Sequence, residues 1–197
     1  MITKTQIRIM KIFVSRITDK FSIKQVSEIM KKPYALVHRS IIPLIKEGLI
    51  TKDEKELLFL NYRENLAELA YIESIRKNEF LMHDKTISLF AKDVLNKINL
   101  DFFVFLLFGS SVDSKNPRDV DVLFIVENED DVKNTEKIIS NIASNFSKEF
   151  DVNVISKESV YEMLAKREQK NAMNETLNKH VLLFGAESYY RMLKNAR

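Results

Sequence analysis

Two apolar runs of strand length, residues 102–108 and 120–126, are separated by a segment that opens with Gly109-Ser110 and closes on Asp119-Val-Asp121. Runs this short, aromatic and β-branched, and bounded by turn residues, predict buried strands. Gly109 stops the first run where a residue without Cβ lets the backbone turn and approach a phosphate, and Ser110 adds a hydroxyl and an N–H donor. Asp119 and Asp121 stand at i and i+2, so both side chains leave one face of the second strand roughly 6 to 7 Å apart. Asp119 also fits a turn after Pro117 and Arg118. Asp121 does not. It interrupts a buried strand, where an uncompensated carboxylate costs several kcal/mol, and a bound cation is the economical compensation.

This pattern of apolar strand, Gly-Ser, loop and Asp-x-Asp within a second apolar strand resembles the polymerase-beta-like nucleotidyltransferases in their minimal form. The family's third carboxylate begins a later strand, and residues 150–156 supply Asp151 after a helical run over 131–149. The resemblance covers residues 85–197, and its specific part is the three acidic positions with Gly-Ser. The loop between Ser110 and Asp119 looks shorter than usual for the family.

The resemblance implies transfer of a nucleoside monophosphate, with AMP from ATP the first candidate, to a hydroxyl group. Asp119, Asp121 and Asp151 would be the catalytic residues and would hold two Mg²⁺ or Mn²⁺ ions. Gly109 and Ser110 would hold the triphosphate, and Arg118 is either a further phosphate contact or a surface partner of Asp119. Minimal nucleotidyltransferases often act as antitoxins that modify a tyrosine of a HEPN-type toxin protein, while other relatives modify small molecules.

The first sixty residues carry 12 Lys or Arg against 6 Asp or Glu, whereas the remainder carries 19 against 22. Such asymmetry suggests that the first part meets a polyanion. Helical spacing over 5–17, the N-cap Ser22 before 23–30, a third helix over 34–47 ending at Gly48 and interrupted by Pro43, then two short strands around 53–55, resemble a winged helix-turn-helix domain. That resemblance includes the Leu-Ile-Lys-Glu-Gly-Leu-Ile run entering the wing. The third helix of such domains enters the major groove. Lys31, Lys32, Tyr34, His38, Arg39, Lys52 and Lys55 are the candidate DNA-facing residues, with phosphate contact their main expected work. Winged helices also serve as dimerisation or protein-docking modules, and that alternative stays open.

Residues 62–99 read as two helices broken near Asn78 or Asp84. After Asp151 the pattern predicts helices over 158–167 and 169–178, a strand over 180–184 and a last helix. The expected fold class is therefore α+β: a winged helix-turn-helix over 1–61, a helical linker over 62–99 and a mixed α/β nucleotidyltransferase domain over 100–197. The absence of cysteine excludes disulfides and zinc-cysteine sites. His38, His83 and His180 have no metal-ligand spacing and read as surface or strand-end residues. No apolar run reaches membrane-spanning length, and a cytoplasmic protein is expected. The expected partners are a nucleoside triphosphate, duplex DNA and a HEPN-type toxin, with a homodimer as an open alternative and no membrane. The rival reading is a DNA-binding transcription regulator whose nucleotidyltransferase-like domain senses nucleotide or dimerises.

Overall fold

The computed structural model describes residues 2–114, 119–166 and 171–196. Helix α1 (Lys4–Ser15) opens on a capping box in which Thr3 and Gln6 each satisfy the other's backbone N–H. Helix α2 (Ile23–Met30) repeats the device with Ser22 and Gln25. It stops at Lys31, whose backbone is left-handed, and α3 (Tyr34–Lys46) follows directly. Gly48, at φ +72°, turns the chain into strand β1 (Ile50–Lys52), which pairs antiparallel with β2 (Leu58–Leu60). Asp53 shapes the connection by accepting the N–H groups of Lys55 and Leu57 at 2.9 and 3.0 Å. Phe21, between α1 and α2, bridges to Leu58 and so adds a third short segment to this hairpin.

Helix α4 (Leu66–His83) and helix α5 (Lys85–Lys97) break at Asp84, not at Asn78. The Asp84 carboxylate caps α5 through the N–H of Ile87 and also pairs with Lys148. Its two roles explain the position of the break.

Four strands form the second sheet: β3 (Phe103–Phe108), β4 (Asp119–Val126), β5 (Glu149–Ser156) and β6 (His180–Phe184), in the spatial order β5-β4-β3-β6. Strands β3 and β4 are antiparallel, α6 (Val132–Ala143) carries the chain across to β5 parallel to β4, and β6 closes the other edge antiparallel to β3. Both faces of the sheet are covered, which is why β3 is apolar throughout rather than alternating. Phe105, Leu107, Val120, Val122 and Phe124 pack against Phe90 and Val94 of α5 and Ile139 of α6. Val104, Leu106, Leu123 and Ile125 face helix α7 (Lys157–Ala165) and helix α9 (Ala186–Asn195). That second cluster runs without interruption into Ile9, Phe13, Val37 and Leu44 of the first three helices. The short helix α8 (Ala172–Thr176) precedes β6. The expected ends at Arg167 and Gln169 lie outside the described residues. The chain is α+β, and among the described residues no helix is long and apolar enough to cross a membrane.

Candidate functional site

Strand register aligns the predicted carboxylates. Asp121 pairs with Asp151 on β5 and with Phe108 on β3, and Phe108 pairs in turn with His180 on β6. One row across the sheet therefore reads Asp151, Asp121, Phe108, His180. Asp119 lies two residues earlier on β4, on the same face as Asp121. Asp119 and Asp121 are half-buried and Asp151 is exposed. Burial pushes the Asp121 carboxyl above its ordinary value, and the charges of Asp119, Asp151 and Glu175 push it the same way. Glu175, on α8, was not legible in the sequence, because the placement of so short a helix is decided by packing.

The three aspartates share one face and one end of the sheet, but they are not closed around a point. Among the described residues no three His, Asp or Glu side chains converge tightly enough to enclose an ion. Nor does an ion pair with a described cation relieve Asp119, Asp121 or Asp151.

Gly109 has φ +70°, and a Cβ there would stand 2.4 Å from Asp121 Oδ2. The space over its Cα is taken by the Asp121 carboxylate, where the sequence had suggested room for a phosphate. Its N–H donates to the Lys179 carbonyl at 3.3 Å, so this donor is already engaged. Residues Gly109–Val112 form a 3-10 turn. Ser110 is exposed, and its carbonyl accepts from Asp113 and Ser114. Ser111 is buried, its hydroxyl donating to the Phe108 carbonyl at 2.8 Å. Arg118 lies outside the described residues. A cleft of about 580 Å³ lies between α1, α4 and this turn, bordered by Lys11, Arg16, Arg76, Val112 and Lys179 and by none of the three aspartates.

The far end of the row is built differently. His180 begins β6 as expected but is fully buried, not at the surface. Its Nδ1 faces the Thr176 carbonyl oxygen at 2.5 Å, and its Nε2 faces Glu73 Oε1 at 3.2 Å. Tyr190 donates to the same Glu73 oxygen at 2.8 Å, and Arg76 donates to the other at 2.6 Å. Arg76 also donates to the His180 carbonyl at 2.7 Å. Burial raises the Glu73 carboxyl, yet Arg76, His180 and Tyr190 together hold it below its ordinary value. Burial and the Glu73 charge push the Tyr190 hydroxyl well above its own.

On the first three helices and the hairpin, Lys31, Lys32, Tyr34, His38, Arg39, Lys52 and Lys55 are all exposed. The Tyr34 and His38 rings stack at 5.9 Å, Arg39 Nε donates to the Ala35 carbonyl, and Lys52 pairs with Glu56. His83 is exposed as well. Comparison of the chain with protein-family models, with curated proteins and with solved structures found no match.

Proposed function

We propose that the chain is a nucleotidyltransferase that moves AMP from ATP to a hydroxyl of a protein or small molecule, with a winged helix that binds duplex DNA. The observation that carries this reading is the pairing of Asp121 with Asp151 in one row, with Asp119 on the same face and burial together with like charges raising the Asp121 pKa. Carboxylate oxygens are the donors that Mg²⁺ and Mn²⁺ prefer, so the residue types fit the ions that the reading requires. Asp119, Asp121 and Asp151 would hold them, and the bound ions would supply charge neutralisation for the triphosphate. Asp151, the most exposed of the three, would take the proton of the attacking hydroxyl. The hydroxyl oxygen forms a bond to the α-phosphorus, the bond to the bridging oxygen breaks, and pyrophosphate leaves. Because the Gly109 N–H is engaged by Lys179, phosphate contact falls to Ser110.

Three helices, a two-stranded wing and the Phe21 bridge support the winged-helix reading of the N-terminal part. The exposed cations between α2 and α3 support phosphate contact with DNA. Salt-dependent duplex binding should weaken in the Lys31→Ala, Lys32→Ala, Arg39→Ala triple variant by about tenfold or more at moderate salt. Unchanged binding would remove DNA from the account.

The first acceptor to test is a tyrosine of a HEPN-type toxin, because the polymerase-beta-like resemblance points there. Incubation of such a partner with α-labelled ATP and Mg²⁺ should label it, and Asp119→Asn, Asp121→Asn and Asp151→Asn should each abolish labelling while leaving the fold intact.

One observation favours the rival reading of a nucleotide-sensing regulator. The Ile17 N–H donates to the Leu177 carbonyl, and Thr18 and Asn178 exchange hydrogen bonds, directly beside Lys179, whose carbonyl accepts from Gly109. The N-terminal part thus touches the segment that holds the Gly109 turn. Triphosphate binding without transfer, accompanied by altered DNA affinity, would favour that reading.

A further inference from the structure

We propose that Glu73 and Arg76 of α4 are positioning residues that set the Gly109 turn, and with it the Asp121 carboxylate, by clamping His180 at the start of β6. The functional consequence rests on the nucleotidyltransferase reading; the structural coupling does not. Three contacts hold His180 in the clamp, and two more link it to the turn. Arg76 holds the His180 carbonyl, while Glu73 and the Thr176 carbonyl hold its ring from both sides. His180 pairs with Phe108, the residue immediately before Gly109. Lys179, the residue immediately before His180, accepts the Gly109 N–H. The backbone of β6 at this point therefore determines where the turn stands. Asp121 Oδ2 lies so close over Gly109 Cα that displacement of the turn must displace the carboxylate or lift it away.

Burial alone does not explain the clamp. Glu73 and His180 are ionisable groups removed from water at the junction of α4 and a sheet edge, and Arg76 pairs with Glu73 from the border of the cleft. Apolar side chains of like volume often give equal or greater stability in such a place, so geometry is the property that a fully satisfied buried cluster adds. Groups that hydrogen-bond metal ligands directly alter metal affinity or activity by about 10- to 100-fold when changed, and a group acting through a neighbouring strand is expected at the lower end of that range.

The chain contains three glycines, Gly48, Gly109 and Gly185. Protein labelled with ¹⁵N-glycine therefore gives three backbone resonances, a direct readout of the turn that needs no substrate. In Glu73→Gln the Gly109 resonance should shift or broaden while Gly48 stays in place, and the KM for ATP should rise about tenfold with a smaller change in kcat. Tyr190→Phe, which deletes one donor to Glu73 and keeps the ring, should move the same resonance less, and it carries the comparison if Glu73→Gln does not fold. A Gly109 resonance unmoved in a folded variant would overturn the clamp. A moved resonance in a protein that binds no triphosphate would keep the clamp and remove the nucleotidyltransferase reading.

Discussion

Glu73 holds the His180 end of one row across the sheet and Asp121 lies toward the other, and the protein treats their charges in opposite ways. Glu73 is enclosed by Arg76, His180 and Tyr190, and its pKa is lowered although it is fully buried. Asp121 is less buried, yet its pKa is raised, because burial is joined by the charges of Asp119, Asp151 and Glu175 instead of being offset by a cation. A carboxylate supplied with its own donors is a finished internal contact. One surrounded by like charges at a strand end stores repulsion that an added cation would relieve, and such opposed environments are a mark of functional sites.

The sharpest way to break this contrast is to remove a charge from the finished end. Glu73→Ala would leave Arg76 and His180 without their carboxylate, and an uncompensated buried charge costs about 3–5 kcal/mol. Urea unfolding should show that loss. A change below about 1 kcal/mol would mean that water replaces the carboxylate freely.

Two glycines test how closely each end is built. Gly185→Ala places a Cβ 2.6 Å from the Phe103 carbonyl oxygen at φ +77°, so the backbone itself must shift. A loss of about 2 kcal/mol or more is expected in the same unfolding measurement. Gly109→Ala meets the Asp121 carboxylate instead, which can swing away. Its stability loss should be nearer the 1 kcal/mol of the left-handed backbone alone, and its main effect should be weaker metal-dependent triphosphate binding by calorimetry. Equal stability losses at the two sites would erase the distinction.

The pH dependence should also separate them. Glu73 has a folded-state pKa below its ordinary 4.5, so its contribution is present above that value and is lost as pH falls through the depressed one. Asp121 has a folded-state pKa above 3.8, so its own contribution to metal-free stability is most favourable below 3.8 and declines as pH rises through the raised value. Thermal unfolding of wild type and Glu73→Gln should converge as pH drops below 4.5. The smallest effect is that of Asp121→Asn, which should raise Tm in metal-free buffer at neutral pH by roughly 2 °C, since solvent screens the repulsion. That gain should vanish in acid. A gain that persists there would have another origin than charge.

Much of this architecture could be read from local signals. Ser22 caps α2 as expected, Gly48 ends the third helix in the left-handed region, and β6 spans His180–Phe184, the residues expected. The two apolar runs are β3 and β4, because a strand buried on both faces has no alternation to obscure. Legibility failed where the partner is distant. His180 and Glu73 are 107 residues apart, and Glu73 sits in a helix whose many charged residues look alike in sequence. Gly109 was legible as a turn, but not as the residue that makes room for Asp121, since that depends on the register of β3 against β4. Residue type and spacing pointed to Asp119 and Asp121, and the resemblance pointed to Asp151; only packing revealed Glu175 and the clamp.

The most direct test of the central claim is calorimetric titration of a non-hydrolysable ATP analogue into wild type and Asp121→Asn, each with and without Mg²⁺. The expected result is binding to wild type that requires Mg²⁺ and falls by about a hundredfold or more in Asp121→Asn at unchanged fold. Binding of equal strength in both proteins, or no Mg²⁺-dependent binding to wild type, would contradict a metal-assisted triphosphate site on this row of the sheet.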